Sequence, residues 1–249
     1  MSPSEHATPG WPDAPWRGGV ATDSRIARGI ELQNQQLERQ CREGAGIIGW
    51  KIGANDPFAR ARWGISDCLL GYLPVSTCYG SERRFDLDGH ACAAIEPELA
   101  IAIGEPVSEC AEADEVEAAI VGIGLAAELV DIRGRYDDLA QVLAQNIFHS
   151  GAAIAEGRQP YRRGVSETMR VQARQQGEVL WDLPIGALIP DVRAVVAFVA
   201  RETHARGHVL SKGQLILSGV LTPIPLWARP GDRIVVSSDG FEPVATTFC

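Results

Sequence analysis

The stretch Ala94-Ile95-Glu96-Pro97-Glu98-Leu99-Ala100-Ile101-Ala102-Ile103-Gly104 places two carboxylates at the start of an apolar run. Because side chains of a strand alternate between its faces, Glu96 and Glu98 share one face, with Cα atoms about 7 Å apart. Left alone, the two acids would repel each other, and burial would force at least one to take up a proton. A hard cation such as Mg²⁺, which takes oxygen ligands, would remove both problems. The alternative is an exposed strand end with two solvated acids.

A third carboxylate, Glu128, lies in the apolar stretch Leu125-Ala126-Ala127-Glu128-Leu129-Val130-Asp131-Ile132. A lone glutamate in such a strand is uncommon unless it is paired or binds a ligand. Three acids from two strands could form a set of oxygen ligands for Mg²⁺ or Mn²⁺ and leave positions open for a substrate. Pro97, which cannot donate to a sheet ladder, predicts an irregular or edge position at the first two acids, where a site could open.

A lysine interrupts the apolar stretch Ile47-Ile48-Gly49-Trp50-Lys51-Ile52-Gly53. In a strand, Lys51 shares its face with Gly49 and Gly53, and the missing side chains leave space beside the ammonium for a ligand. A lysine opposite a metal would pair with an anionic substrate or move a proton. The alternative is a lysine on an exposed strand whose ammonium reaches water.

Composition and charge narrow the class of protein. The chain has 249 residues, is 45% hydrophobic and carries a formal net charge of −9, which argues against a nucleic-acid partner. No apolar run reaches membrane-spanning length, so we expect no membrane partner. The six cysteines form no C-x-x-C pair and no zinc-like cluster, which favours a reduced, cytoplasmic protein. Residues 1–20, rich in Pro, Gly and Ser, predict a disordered or loosely draped arm.

Periodicity and capping residues predict strands interspersed with helices, without regular βαβ alternation. This pattern favours an α+β fold, a mixed β-sandwich roll with flanking helices. The predicted helices are Thr22–Arg42, Ala113–Val121, Asp137–Asn146 and Asp191–Arg206. The predicted strands are Ile47–Ile52, Ile95–Ile103, Gly124–Asp131, Leu215–Leu221, Arg233–Ser237 and Val244–Phe248. Hairpins are predicted within Thr77–Ala94 and, with a turn at Gln176-Gly177, between Val171–Ala173 and Val179–Leu183.

Five motifs in sequence carry a resemblance to a known family. They are G-W-K-I-G at 49–53, I-E-P-E-L-A at 95–100, A-E-L-V-D at 127–131, L-S-G-V-L-T-P-I-P at 217–225 and P-G-D at 230–232. Together they resemble the fumarylacetoacetate hydrolase superfamily, and within it the 2-keto-4-pentenoate hydratase and 4-oxalocrotonate decarboxylase group. The resemblance runs from about Thr22 to Phe248. It implies a mixed β-roll, one divalent metal, usually Mg²⁺, and a homo-oligomer.

The resemblance also implies roles for individual residues. It implies metal ligands at Glu96, Glu98 and Glu128, the acids that strand alternation also singles out, and an active-site lysine at Lys51. Ser218 and Gly219 would line the substrate pocket. On this basis the chain divides into the arm (1–20), an N-terminal helical and strand lobe (21–80) and a metal-binding β-roll catalytic region (81–249), which together form one hydratase-like unit.

Two segments depart from the family pattern. Where many members carry a Pro-Asp pair that helps proton transfer, this chain has Cys68 and Leu69, so Leu69 would line the substrate pocket in place of an acid. The segment that matches the family's D-N-x-S-S is Gln145-Asn146-Ile147-Phe148-His149-Ser150, which implies a pocket contact for Ser150. His149 could replace the missing proton carrier, or it could fix a loop by hydrogen bonding.

The resemblance implies a metal-dependent lyase, a hydratase or decarboxylase, that acts on a small 2-oxo or 2-hydroxy dienoic acid through a metal-stabilised enolate. One alternative is a carbon–carbon bond hydrolase acting on an acylpyruvate-like diketo acid. Such relatives show a histidine–glutamate pair, for which His90 is the candidate near the metal strand. A second alternative is a relative that has lost turnover and serves as a scaffold for another enzyme.

Overall fold

The computed structural model describes residues 18–19, 22–133 and 137–249, so the predicted arm at 1–20 lies outside the described residues except for Gly18 and Gly19. The helices are α1 (Ser24–Arg42), α2 (Pro57–Trp63), α3 (Ala113–Ala119), α4 (Leu139–Ala144), α5 (Val165–Thr168) and α6 (Val192–Ala205). The strands are β1 (Ile47–Gly53), β2 (Leu69–Pro74), β3 (Cys78–Tyr79), β4 (Glu82–Phe85), β5 (Ala93–Ile103), β6 (Ile120–Asp131), β7 (His149–Ile154), β8 (Arg170–Gln175), β9 (Glu178–Pro184), β10 (Leu215–Leu217), β11 (Leu226–Trp227), β12 (Arg233–Ser237) and β13 (Val244–Phe248).

The strands form two sheets. The larger sheet has the order β2-β1-β10-β5-β6-β7-β3, with β11 paired to β5 beyond the end of β10. The smaller sheet has the order β4-β13-β12-β8-β9. Parallel and antiparallel pairs occur in both sheets, which confirms the predicted mixed α+β roll. Strands of the predicted lobe (21–80) and of the predicted catalytic region (81–249) share the larger sheet, and the division between them stays a prediction.

The core lies between the two sheets and against α6. Ile95, Leu99 and Ile101 on one face of β5 are fully buried in the same cluster as Ile234 of the smaller sheet and Phe198 of α6. At about 25 cal/mol per Å² of apolar surface, burial of such side chains is the main favourable term of folding. The alternation predicted for β5 therefore directs its apolar face into the core and its acidic face to the opposite side of the sheet.

Strand β5 is an interior strand, and the edge position that Pro97 suggested is wrong. Pro97 also suggested irregular strand pairing, and this is confirmed: β10 ends opposite Ala100, and β11 begins opposite Ile95. Between them, the Ser218 hydroxyl accepts the Leu99 N–H, and the Pro97 carbonyl accepts the Leu221 N–H. The ladder of hydrogen bonds is thus interrupted beside the acidic residues.

Two predicted elements need correction. The hairpin expected within Thr77–Ala94 is wrong, because β3 pairs in parallel with β7 in the larger sheet and β4 pairs in parallel with β13 in the smaller one. The strand expected at Leu215–Leu221 ends at Leu217, since Gly219 has φ +87° and turns the chain away. The hairpin of β8 and β9 is confirmed, with Gln176 and Gly177 at positive φ, as a tight two-residue turn requires.

Helix α2 and strands β2 and β7 were not predicted from the sequence. The sequence does carry end signals for α2: the Asp56 side chain accepts the Phe58 and Ala59 N–H groups, Pro57 opens the first turn, and Gly64 ends the helix in the left-handed conformation. Among the described residues, no helix combines the length and apolar character needed to cross a bilayer.

Candidate active site

Strands β5 and β6 bring three carboxylates together on one face of the larger sheet. In the antiparallel register, Glu96 lies directly opposite Glu128, and Glu98 follows two residues along on the same face. One carboxylate oxygen from each of the three residues lies within 4.8 Å of the others. Glu98 and Glu128 are fully buried, and Glu96 is partly buried. The structure thus assembles the acids that strand alternation placed on common faces.

Each buried carboxylate has one oxygen held by the protein and one that is not. Oε2 of Glu98 accepts the Gly219 N–H at 2.8 Å, and Oε1 of Glu98 is buried without a hydrogen-bond partner. Oε1 of Glu128 contacts Lys51 Nζ at 2.6 Å and His149 Nδ1 at 2.7 Å, and Oε2 of Glu128 is buried without a partner. Because a buried acceptor without a partner costs free energy, these two oxygens are suited to a bound cation.

The charges of the cluster are not balanced by the described residues around it. The pKa of Glu96 is raised to about 7, mainly by burial and to a lesser extent by the negative charge of Glu128. Burial and the charges of Glu128 and Glu96 raise the pKa of Glu98 well above its usual value. Burial also pushes the pKa of Glu128 upward, but the Lys51 ammonium and His149 outweigh it and lower that pKa overall. Among the residues that the structure describes, the Lys51 ammonium is thus the one ammonium that acts on all three carboxylates. A divalent cation bound between them would neutralise the remaining negative charge.

Lys51 is held inside the sheet and does not reach water. Its side chain is 1% exposed, and Nζ donates to the Ile147 carbonyl at 3.0 Å besides contacting Glu128. The space expected beside the ammonium at Gly49 and Gly53 is filled by protein: a Cβ on Gly49 would lie 1.8 Å from the Leu215 carbonyl oxygen, and one on Gly53 would lie 2.6 Å from Ile147. Room for the lysine itself comes from Gly71 of the neighbouring strand, where a Cβ would lie 2.8 Å from Lys51. The alternative of an exposed lysine is therefore wrong.

His149 lies behind Glu128 and has a partner on both ring nitrogens. Nδ1 lies 2.7 Å from Glu128 Oε1, and Nε2 lies 2.9 Å from the Thr77 hydroxyl. An ionised carboxylate can only accept, so Nδ1 carries the proton. This arrangement favours the second of the two roles considered for His149, that of fixing its surroundings by hydrogen bonding.

A cavity of about 360 Å³ opens beside the cluster at Glu96. Most of its wall is apolar, and Asn55, Asp56 and Arg62 supply polar groups. The remaining lining residues come from the ends of β1 and β6, from α2 and from the segments around Ile147 and Pro223, namely Gly53, Ala54, Phe58, Ala59, Trp63, Val130, Ile132, Ile147, Phe148, Val220, Pro223 and Pro225. The cavity offers space for a small molecule next to Glu96, between largely apolar walls.

The other predicted pocket residues divide into two groups. Ser218 and Gly219 lie at the cluster, where Gly219 holds Glu98 and Ser218 bonds to the backbone. Leu69 and Ser150 are not among the described residues that line the cavity: Leu69 is buried in the apolar cluster behind its wall, and Ser150 bonds to His90 Nε2 at 2.8 Å.

Sequence reasoning missed Asn55 and the wall formed by α2. Asn55 is buried and donates to the Val220 carbonyl at 2.9 Å, while its side chain packs against Gly219 so closely that a Cβ there would lie 2.5 Å from Oδ1. The available signal was Asn55-Asp56-Pro57, which marks the start of a helix directly after the strand that carries Lys51.

Comparisons with known proteins agree with this architecture. A family profile described as "Fumarylacetoacetate (FAA) hydrolase C-terminal" matches residues 61–249. A 4-oxalocrotonate decarboxylase from Pseudomonas sp is 27% identical over 210 residues, which cover 83% of this chain and 80% of that protein. A 2-keto-4-pentenoate hydratase from Burkholderia vietnamiensis is 25% identical over 232 residues, which cover 91% of this chain and 86% of that protein.

A solved structure shows the same fold. The 4-oxalocrotonate decarboxylase from Pseudomonas putida G7, complexed with magnesium and adipate, superimposes with a TM-score of 0.82 and 22% identity. The match covers 90% of this chain and 86% of that one.

Proposed function

This chain belongs to the fumarylacetoacetate hydrolase family, and from that premise we propose that it is a divalent-metal-dependent lyase, a hydratase or decarboxylase, acting on a small 2-oxo or 2-hydroxy dienoic acid. The observation that carries the proposal is the convergence of Glu96, Glu98 and Glu128 within 4.8 Å beside a cavity. Both curated relatives bear the names of enzymes that act on acids of this kind, and both are similar over most of the chain.

The residues present fit a divalent cation. Glu98 and Glu128 each keep one buried oxygen without a hydrogen-bond partner, and Glu96 reaches the same point from the cavity side. Carboxylate oxygens are the ligands preferred by Mg²⁺ and Mn²⁺. When bound, the ion would polarise the 2-oxo group of a substrate and stabilise the negative charge of an enolate.

The protein's own groups orient these ligands and supply charge. Lys51 and His149 both contact Oε1 of Glu128, which fixes the rotamer of that side chain and leaves Oε2 for the ion. Gly219 does the same for Glu98. The Lys51 ammonium adds a positive charge on the inner side of the cluster, where it would attract the carboxylate of a 2-oxo acid or move a proton during the reaction. The apolar walls of the cavity reduce the screening of these charges by water.

The first test is a substitution of one ligand. Glu98→Gln keeps the shape of the side chain but removes its charge, so Mn²⁺ affinity measured by calorimetry should fall at least about 100-fold, as expected when a ligand rather than its support is lost. The fold should persist, because the variant removes a buried charge rather than a packing contact. Glu105→Gln, an exposed acid paired with Lys212, is the matched control. Unchanged Mn²⁺ affinity in Glu98→Gln would refute the proposed ligand set.

Product analysis with 4-oxalocrotonate and 2-keto-4-pentenoate then separates the reaction types. Hydration gives one product, and decarboxylation releases CO₂. The hydrolase alternative predicts two acids from an acylpyruvate. The pair expected for it at His90 is not formed, because the described hydrogen bond of His90 goes to Ser150 rather than to a glutamate. A metal-loaded protein without turnover on any of these acids would favour the scaffold alternative.

A further inference from the structure

Three consecutive residues beside the lysine adopt the left-handed conformation. Asn146, Ile147 and Phe148 have φ angles of +52°, +53° and +62°. This region is unfavourable for residues with a side chain, and a run of three persists only where the surroundings impose it. The run turns the Ile147 carbonyl toward Lys51 Nζ and leads directly into His149 at the start of β7. The contact that the Ile147 carbonyl makes with Lys51 therefore depends directly on the geometry of this segment.

The Asn146 side chain ties the segment to β2. Its Oδ1 accepts the Tyr72 N–H at 2.9 Å, and its Nδ2 donates to the Tyr72 carbonyl at 2.8 Å, so the amide pairs with the strand as a neighbouring strand would. The space exists because residue 71 is glycine: a Cβ there would lie 2.9 Å from Asn146 Oδ1. The amide thus fixes the first residue of the left-handed run.

A second buried amide holds Asn146 from the other side. Gln33 of α1 is 1% exposed and donates from Nε2 to Asn146 Oδ1 at 3.2 Å. Its Oε1 accepts from Arg206 Nη1 at 2.8 Å. Because a guanidinium only donates, Gln33 must turn its oxygen to Arg206 and its NH₂ to Asn146, so the direction of the chain of hydrogen bonds is fixed.

Arg206 is itself held from several sides. It follows the last residue of α6, and its side chain is 4% exposed. Nη2 contacts Glu202 at 2.9 Å, and Nη1 also donates to the Leu70 carbonyl of β2 at 3.1 Å. Its Nε is buried without a hydrogen-bond partner, so the two terminal nitrogens make all of its hydrogen bonds among the described residues. Buried hydrogen-bond networks favour one arrangement of the elements that carry them. This network joins α6, α1 and β2 to the segment that contacts Lys51.

We propose that Gln33, oriented by Arg206, is a positioning residue that acts through Asn146 and the Ile147 carbonyl to hold the Lys51 ammonium where a 2-oxo acid binds. The proposal rests on the proposed function, because it assigns to the Lys51 ammonium a role in binding the 2-oxo acid at the metal cluster. Gln33 contacts neither the cluster nor the cavity, and its link to the cluster runs through Asn146, the Ile147 carbonyl and Lys51.

The test compares oxalate binding to the Mn²⁺-loaded protein by calorimetry in four forms: wild type, Gln33→Met, Lys51→Met and the double variant. Gln33→Met keeps the volume of the side chain and removes both hydrogen bonds. We expect Mn²⁺ affinity to be unchanged, because His149 still holds Glu128 Oε1. The Kd for oxalate should rise about tenfold, the lower end of effects seen when an outer support is lost. In the Lys51→Met background the same substitution should change oxalate affinity no further, since Gln33 acts through that lysine.

Two controls separate positioning from a loss of stability. Leu37→Ala, one turn further along α1 and buried in the main core, lowers stability without touching the network and should leave the Kd for oxalate unchanged. Gln33→Glu, which keeps an acceptor for Arg206 but loses the donor to Asn146, should weaken oxalate binding like Gln33→Met, and it replaces that variant if the methionine form does not fold.

The outcomes are distinct. A Kd for oxalate equal to wild type in a folded Gln33 variant overturns the positioning role while leaving the proposed function standing. An equal loss from the Gln33 substitution with and without Lys51 also overturns it, because the effect would then be general. If wild type binds neither Mn²⁺ nor oxalate, the proposed function fails and this proposal fails with it.

Discussion

At the scale of single residues, the two fully buried carboxylates of the site, Glu98 and Glu128, each have one oxygen held by the protein. Glu128 shows this most clearly, because Lys51 and His149 both occupy Oε1 and leave Oε2 without a partner. Side chains fixed in this way lose less entropy when they bind an ion. The cost is electrostatic: without a cation, the pKa values of Glu96 and Glu98 are raised by burial and by Glu128.

The raised pKa of Glu96 predicts that the stabilisation of the fold by Mg²⁺ depends on pH. The pKa of Glu96 is raised to about 7 in the fold, above its ordinary value, so its contribution favours folding at low pH and is lost as the pH rises through about 7. A bound cation offsets the loss. The rise in Tm on adding Mg²⁺ should therefore be larger at about pH 8 than at about pH 6.

Thermal unfolding in EDTA and in Mg²⁺ at the two pH values measures this difference. Glu96→Gln, which cannot titrate at that position, should reduce the pH dependence. An equal Mg²⁺-induced shift in the wild type at both pH values would show that Glu96 does not hold the ion.

At the scale of elements, the site is formed by β5, β6, the segment that follows β10, and helix α2. The antiparallel register of β5 and β6 sets Glu96 opposite Glu128, and the gap between β10 and β11 lets the segment at Gly219 approach Glu98. Helix α2 closes the cavity with Phe58 and Trp63. This helix has seven residues, too few to be stable alone, so its end caps and its packing decide whether the wall forms.

Loss of the cap should be measurable. Asp56→Ala removes the acceptor for the Phe58 and Ala59 N–H groups and should lower the free energy of unfolding by about 1 kcal/mol. For a chain of this length, that corresponds to a fall in Tm of about 2–4 °C. Asp56→Asn, which can also cap, is the control. Equal Tm values for the alanine and asparagine variants would mean that the cap does not hold α2.

At the scale of the whole molecule, local patterns predicted part of the fold. Strand β5 was visible because its two acids lie on one face and its large apolar residues on the other. The region of β6 was visible as an apolar run interrupted by Glu128, and the caps of α1 and α6 marked the ends of those helices. The parallel pairing of β3 with β7 and of β4 with β13 was not visible, because partners far apart in the chain leave no local signal. Strand β2, buried along its whole length, has no alternation to reveal it.

The site residues also divide into those that the local sequence reveals and those that only the tertiary structure reveals. The three acids and Lys51 stand out because charged residues inside apolar strands need a reason to be there. Gln33, Asn55 and Arg206 do not stand out, because a polar residue on a helix or in a loop is ordinary until tertiary packing buries it. The predicted homo-oligomer and the roles of Leu69 and Ser150 in substrate binding stay predictions.

The central claim is that Glu96, Glu98 and Glu128 together hold one divalent cation. The most direct measurement is the anomalous diffraction of Mn²⁺ in crystals of the protein grown or soaked with the ion. We expect one strong peak per chain, about 2.0–2.3 Å from one oxygen of each glutamate, as for an ion held by carboxylate ligands. A Mn²⁺-saturated crystal with no peak between the three carboxylates, or with its peak elsewhere, would contradict the account.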